Sequence, residues 1–253
     1  MEIYYTIMTF IFGTVLGSFY NVCGYRLPRE ESLIKPASHC PKCNHKLGAS
    51  ELVPILSYLF QLGKCKNCKC KISAFYPIFE FTTGVLFAIS YLIFGFSVDF
   101  FIAITFISML LIIIISDYQT MIIPDSVLIV GSILLVIELF LKNGLDVYLN
   151  IIDGLISFTN MYLLKKFGDF LFKKESMGGG DIKLMGVVGL VLNYKLAVIT
   201  IFLASIIGLP VSLIILWQKK TNIIPFGPFL SVSAIILLLS RVDFNMIIDM
   251  LTL

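Results

Sequence analysis

Charge is what this sequence has little of. Asp, Glu, Lys and Arg make up 14% of its 253 residues, where soluble domains carry about 25%. The hydrophobic fraction is 58% and the mean hydropathy +0.96. A soluble fold of this length could not hide so much apolar surface, so lipid must be the solvent for much of the chain. Length alone would allow one or two domains. The first 25 residues lack a basic start and a small-residue cleavage site, so they are expected to be a retained span and not a signal peptide. The lysines lie beside apolar segments and lack interleaved stacking aromatics, which argues against nucleic acid as a partner. Internal sequence repeats and low-complexity tracts are absent too.

What the chain does have is long apolar runs. A spanning helix needs ~20 mostly apolar residues, and candidate spans cover 3–23, 76–96, 99–116, 126–141, 147–164, 182–194, 196–217 and 226–240. The sixth is short for a span, which suits a tilted or partly inserted helix. The fold class expected is all-α: a polytopic membrane helix bundle of about eight spans carrying one hydrophilic loop. Tyr4, Tyr5, Tyr76, Tyr91, Tyr148, Tyr162, Tyr194 and Trp217 lie near span ends, where aromatics anchor helices at the interface or simply pack in the core. With the 24–75 loop placed inside the cell, sixteen Lys and Arg residues, Lys219 and Lys220 among them, fall on its side. Only Lys142, Lys195 and Arg241 fall on the other. That asymmetry puts both termini outside and the loop in the cytoplasm. The expected division is a first transmembrane helix, 1–24, a cytoplasmic metal-binding loop, 25–75, and a transmembrane core, 76–253.

The loop carries Cys40-Pro-Lys-Cys43 and Cys65-Lys-Asn-Cys68. Each CxxC pair can offer two thiolates to one ion, and two such knuckles close a tetrahedral four-cysteine zinc site. The spacing between them is slightly long for a zinc ribbon and leaves room for residues 51–60. Disulfides are the weaker reading, because the cytosol keeps thiols reduced. A closed site of this kind is structural, holding together a loop with little core of its own. Cys23 and Cys70 are left over. Cys70 is an alternative ligand to Cys68, and His39 and His45 are further alternatives beside the first pair.

Two aspartates stand at the ends of apolar runs. Asp117 closes the run 109–116, and Asp181 follows Gly178-Gly179-Gly180 and opens the sixth span. Ionisable residues in or near spans are costly and are functional candidates by default. Asp125, after Pro124 and before a span, is expected to be a helix N-cap. That account is weaker for Asp181, because three glycines in a row are expensive to order and allow close approach of backbone or substrate. Asp117 sits at a helix C-terminus, where the macrodipole disfavours an anion. Two carboxylates brought together in apolar surroundings have split proton affinities. One can then deprotonate a water while the other polarises a peptide carbonyl, as in aspartic proteases.

Four blocks carry a resemblance. Gly17 through Pro28 is similar to an N-terminal GSFxNVxxxRxP block. The two CxxC pairs, with Leu52-Val-Pro-Ile-Leu-Ser-Tyr58 between them, resemble a zinc loop. Asp117-Tyr-Gln-Thr-Met-Ile-Ile-Pro124 and Gly178-Gly-Gly-Asp181-Ile-Lys-Leu-Met185 resemble two catalytic blocks, the second of GxGD type. In this order, over residues 17–185, they resemble the prepilin peptidases, or type IV leader peptidases, which are membrane-embedded aspartic proteases. The resemblance implies Asp117 and Asp181 as the catalytic pair. It implies a prepilin or pseudopilin substrate, with a short basic leader and a hydrophobic helix, cut after a glycine at the cytoplasmic membrane face. Members with the zinc loop also N-methylate the new N-terminus with S-adenosylmethionine, and the resemblance points to Gly17, Ser18, Asn21, Arg26 and Glu80 for that step. The chain departs from the family at Phe75, where an arginine often precedes the Tyr-Pro pair. Gly17 and Ser18 could equally serve close helix packing, and Arg26 could be a positive-inside anchor. Glu80, four residues into an apolar span, needs a partner, and Arg26 is the candidate. The competing functions are a proton- or ion-coupled transporter using Asp117, Asp181 and Glu80, and a non-catalytic assembly factor whose zinc loop docks partners. The transporter reading is weakened by both aspartates lying at one face and not at the midplane.

Overall fold

A computed structural model describes residues 1–217, 224–244 and 246. The described residues form nine α-helices and no β-strand, with one long hydrophilic loop between the first and third helices: α1 Glu2–Arg26, α2 Leu56–Phe60, α3 Phe75–Phe94, α4 Val98–Thr120, α5 Asp125–Asn143, α6 Val147–Phe172, α7 Gly179–Leu192, α8 Tyr194–Trp217 and α9 Gly227–Ser240. Each of the eight apolar runs coincides with one helix, and α2 is the extra element inside the hydrophilic loop. The largest difference is α6, which continues through Lys165 and Lys166 to Phe172. Lys219 and Lys220, counted above on the loop side, lie outside the described residues.

Among the described residues, five helical stretches are long and apolar enough to cross a membrane: Glu2–Arg29, Phe75–Phe94, Val98–Thr120, Asp125–Phe172, which contains both α5 and α6, and Tyr194–Ile215. Their outward faces are apolar, with Phe19, Phe81, Ile133, Ile137, Leu155 and Phe202 exposed. Water would penalise that surface, and hydrocarbon does not. This is an integral membrane protein. Of the aromatics near span ends, Tyr91 is buried and Tyr5 half-buried, whereas Tyr4, Tyr76, Tyr148, Tyr162, Tyr194 and Trp217 are exposed.

The chain divides into two compact units, Met1–Phe96 and Ser97–Leu253. In the first, α1 packs on α3 along a seam of small residues. A Cβ on Gly13 would lie 2.9 Å from the Gly84 Cα, and one on Gly84 would lie 2.9 Å from the Phe10 carbonyl oxygen. The two backbones therefore run almost in contact, as small-xxx-small seams permit in lipid. The rings of Tyr5, Tyr91 and Phe96 close one end of the pair, at centroid separations of 4.9–6.0 Å.

In the second unit α4 packs on α5 and α9, and α7 on α6, α8, α9 and α5. Two ion pairs fix the sense of the helices. Lys142 near the end of α5 meets Asp99 near the start of α4 at 2.7 Å, so these two run antiparallel. Lys183 in the first turns of α7 meets Asp125 at the start of α5, also at 2.7 Å. Asp125 is thus not the N-cap that the sequence suggested. Pro124 takes the cap position, without a side-chain bond, and Asp125 begins the helix. Proline fixes the extended entry, and the aspartate still faces the positive end of the helix dipole while pairing with Lys183. Asn150 Nδ2 donates to the Leu190 carbonyl at 3.1 Å, joining the start of α6 to the end of α7.

Candidate active site and metal centre

The end of α4 and the start of α7 bring two carboxylates together. α4 closes at Met121, whose φ of 56° is left-handed and whose N–H donates to the Asp117 carbonyl at 2.9 Å. Asp117 therefore lies in the last turn. α7 begins after Gly178, which places Asp181 in its first turn, with the side chain against the Gly178 backbone N–H. Both residues are buried, 6% and 8% exposed, and close enough for their charges to act on one another. Asp117 Oδ2 is buried and makes no well-formed hydrogen bond among the described residues, although the Gly227 backbone N–H lies against this carboxylate. An unpartnered buried carboxylate oxygen is costly, and such groups concentrate where chemistry needs them.

Ile123 and two glycines shape this site. A Cβ on Gly180 would lie 2.9 Å from the Ile123 Cβ. The glycine run thus enters the first turn of α7 and lets that helix press against the segment after Asp117. The other glycine was not singled out from sequence. Gly227 opens α9, and a Cβ there would lie 2.6 Å from Asp117 Oδ2 and 3.3 Å from the Ile123 Cδ1. The only local signal is the run Ile224-Pro225-Phe226-Gly227-Pro228, a helix start marked by proline. Nothing in it points to a residue more than a hundred positions earlier.

In the first unit the two knuckles share one backbone design. The Asn44 N–H donates to the Cys40 carbonyl and the Lys69 N–H to that of Cys65, at 2.9 and 3.0 Å. Asn44 and Lys69 are both left-handed. The Cys40 N–H donates to His45 and that of Cys65 to Cys70, each at 2.9 Å, and the bridges His39–Lys46 and Lys64–Lys71 close the two turns. Cys70 is therefore the counterpart of His45. The Sγ atoms of Cys40, Cys43, Cys65 and Cys68 lie within 4.8 Å of one another, with Cys40–Cys68 at 3.8 Å and Cys43–Cys65 at 3.9 Å. Tetrahedral thiolates about 2.3 Å from a zinc ion stand roughly 3.8 Å apart, so these four can hold one metal ion. Backbone N–H groups of Cys43 and Lys42 hold the Cys40 thiol below its usual range, and those of Cys68 and Asn67 do the same for Cys65. Cys70 stands beside the group, its Sγ 3.6 Å from that of Cys40. The imidazoles are engaged elsewhere: His39 Nδ1 with the Ala37 carbonyl, His45 Nε2 with Glu51 at 3.1 Å.

The remaining candidates divide. Gly17 is packed against α3, and a Cβ there would lie 2.8 Å from Thr83 Oγ1 and 3.1 Å from the Glu80 Cα. The Ser18 hydroxyl bonds the Glu80 carboxylate. Asn21 Nδ2 donates to the Gly17 carbonyl at 3.1 Å, while its Oδ1 is buried without a partner among the described residues. The expected pairing of Glu80 with Arg26 does not form. Arg26 donates instead to the Ser32 and Pro36 carbonyls, both at 2.8 Å, because its guanidinium lies at the end of α1, where the loop begins. Glu80, 8% exposed, takes the Ile55 N–H at 2.7 Å. Ile55, another residue that sequence did not flag, has φ 61° and ψ −54°, with the Leu56 N–H bonded to the Pro54 carbonyl. This is a γ-turn of the rare left-handed kind. It is strained at a β-branched residue and costs about 1–3 kcal/mol.

A helical membrane protein with a buried carboxylate pair and a four-thiol cluster belongs to a narrow class, and the comparisons with known proteins say which. Residues 11–94 match the Bacterial Peptidase A24 N-terminal domain and residues 104–213 the Type IV leader peptidase family. The chain is 36% identical over 230 residues to a prepilin leader peptidase/N-methyltransferase of Bacillus subtilis, covering 90% of this chain and 91% of that one. A protein of the same name from Neisseria gonorrhoeae is 32% identical, over 88% and 86% of the two chains, and one from Pseudomonas putida 29%, over 91% and 88%. No solved structure matches the chain. The chain belongs to the type IV leader peptidase family and is an enzyme. The transporter alternative finds no support in these matches.

Proposed function

We propose that this enzyme cleaves the leader peptide of type IV prepilin-like proteins at the cytoplasmic membrane face and N-methylates the new N-terminus with S-adenosylmethionine. The observation that carries the first activity is the pair of buried carboxylates, Asp117 and Asp181, delivered by the ends of two helices in a chain of this family. One carboxylate takes a proton from a water as its oxygen attacks the scissile carbonyl carbon. The other, protonated, donates to the carbonyl oxygen, and a proton then passes to the leaving amine as the C–N bond breaks. A hydrophobic substrate helix would reach the aspartates through lipid. We assign α1 and α3–α9 to eight spans, with both termini outside and residues 25–75 in the cytoplasm. The division we propose is a first transmembrane helix, 1–24, a cytoplasmic zinc-binding loop, 25–75, and a transmembrane peptidase core, 76–253. The four thiols would hold a structural zinc ion, whose chemistry is to fix the fold of the loop.

For the second activity, we group the half-buried Ser18 with the buried Asn21 and Glu80 as a cluster of acceptor oxygens, including the unpartnered Asn21 Oδ1. Such a cluster suits cations, whether an ammonium or the sulfonium of the methyl donor. The new N-terminal ammonium gives a proton to Glu80. S-adenosylmethionine, when bound, would supply the methyl group to the amine that Glu80 has freed of its proton. Gly17 serves this region through packing, and Arg26 through the loop carbonyls it holds.

Purified protein in lipid, given a prepilin and S-adenosylmethionine, is expected to yield by mass spectrometry a leader-free product that carries one added methyl group. An intact substrate would overturn the peptidase assignment, and a cleaved but unmethylated product the second activity. Gly227→Ala is expected to lower the cleavage rate on the order of 100-fold, since a misplacement of about 1 Å costs that much, with helix content by circular dichroism unchanged. A wild-type rate would show that Asp117 has room to move.

A further inference from the structure

We infer that Ile55 is a positioning residue for methyl transfer: its backbone N–H holds the Glu80 carboxylate and so makes the metal-binding loop part of that reaction and not of cleavage. The inference rests on the assignment of Glu80 to the methyl-transfer step.

The backbone amides around Ile55 show where the turn is aimed. The Leu56 N–H is bonded to Pro54, that of Ser57 to Val53 and that of Leu59 to Ile55, all within the loop. The Ile55 N–H alone leaves the loop, reaching Glu80 Oε2 at 2.7 Å. A left-handed γ-turn is a poor conformation for isoleucine. Its effect is to turn one amide outward, toward α3. The second donor on Glu80 is Ser18, from α1. The carboxylate is thus held from two sides, by a transmembrane helix and by the loop. The turn lies between Cys43 and Cys65, one from each knuckle, so the loop that would hold the metal is also the loop that delivers the amide. The γ-turn and the metal centre both belong to the unit that holds Glu80, whereas Asp117 and Asp181 belong to the other.

The test replaces the Ile55 amide with an ester, by incorporating the α-hydroxy analogue of isoleucine, which removes the N–H and leaves the side chain. Ile55→Gly keeps the N–H and tolerates the left-handed turn. Full-length protein in lipid is assayed for cleavage, for methylation kcat and the KM for S-adenosylmethionine, and for zinc content. The ester is expected to lower methylation kcat on the order of 10- to 100-fold, the usual range for a hydrogen bond to a charged group, with cleavage, KM and zinc unchanged. Ile55→Gly is expected to stay within about twofold of wild type on the same measure. Wild-type methylation by the ester, beside a Glu80→Gln variant that has lost it, overturns the role of Ile55 and leaves that of Glu80 standing. Wild-type methylation by Glu80→Gln overturns the placement of Glu80 itself, and this inference with it. A parallel loss of cleavage or zinc in the ester, or an equal fall in Ile55→Gly, makes Ile55 a general folding element and overturns the inference as well.

Discussion

Asp117→Asn and Asp181→Asn are each expected to lower prepilin cleavage on the order of 10²- to 10⁴-fold, the range set by losing a positioned acid or base. Asparagine matches the size of aspartate, so neither change opens a cavity where both side chains are buried. Each removes the ability to exchange a proton while leaving a polar group in place. The double variant is expected to be no slower than the worse single one, because groups that act as a unit are strongly non-additive. Replacing a buried ionisable carboxyl with a neutral amide also removes the cost of burying charge, so the melting temperature of either variant should not fall. A pre-cleaved substrate should still be methylated, since Ser18, Asn21 and Glu80 lie in the first unit. Initial rates with one purified prepilin decide the matter: cleavage retained by either variant removes that aspartate from the mechanism.

The second large effect concerns the metal. Cys40→Ser with Cys65→Ser takes one ligand from each knuckle, and bound zinc is expected to fall from about one ion per chain to almost none. Structural zinc sites in zinc-finger peptides are worth about 10–16 kcal/mol, far more than the turns of the loop can supply. The loop should then become sensitive to added protease between residues 27 and 74, with the membrane helices resisting. Cleavage of prepilin is expected to persist and methylation to be lost. Metal analysis on purified protein is the check, and undiminished zinc in the double variant would reject the four-cysteine site.

The helices were legible because lipid imposes a simple rule. An apolar run must become a helix, as each of the eight did. Their ends were less legible, because a helix does not stop where the hydrocarbon does: α6 carries on through Lys165 and Lys166 to Phe172. The four thiols were legible as a group, since each CxxC pair has its geometry in its spacing. Partner choice was not. Glu80 was assigned to Arg26 on charge, yet its partners are a hydroxyl and a loop amide, which sequence spacing does not encode. Asp125 was assigned to a cap on local preference, and Lys183, 58 positions away, claimed it instead. Gly227 and Ile55 escaped for related reasons. One matters for what it lacks beside a distant carboxylate, and the other for a backbone amide that every residue but proline has.

The near-contact of α1 and α3 along Gly13, Gly17 and Gly84 has a consequence in polymer terms. The hydrophilic segment begins at the end of one of these helices and finishes at the start of the other, so the lipid-embedded pair already acts as a clasp for its two ends. Closing a flexible ring costs entropy that grows only slowly with its length, about 0.6 kcal/mol per doubling, and here the clasp meets that cost before any metal binds. What is left for the four thiols is to set register inside a ring already shut. A chain stripped of its ion should therefore keep this segment tethered and local, able to refold on the surface where it belongs when metal returns.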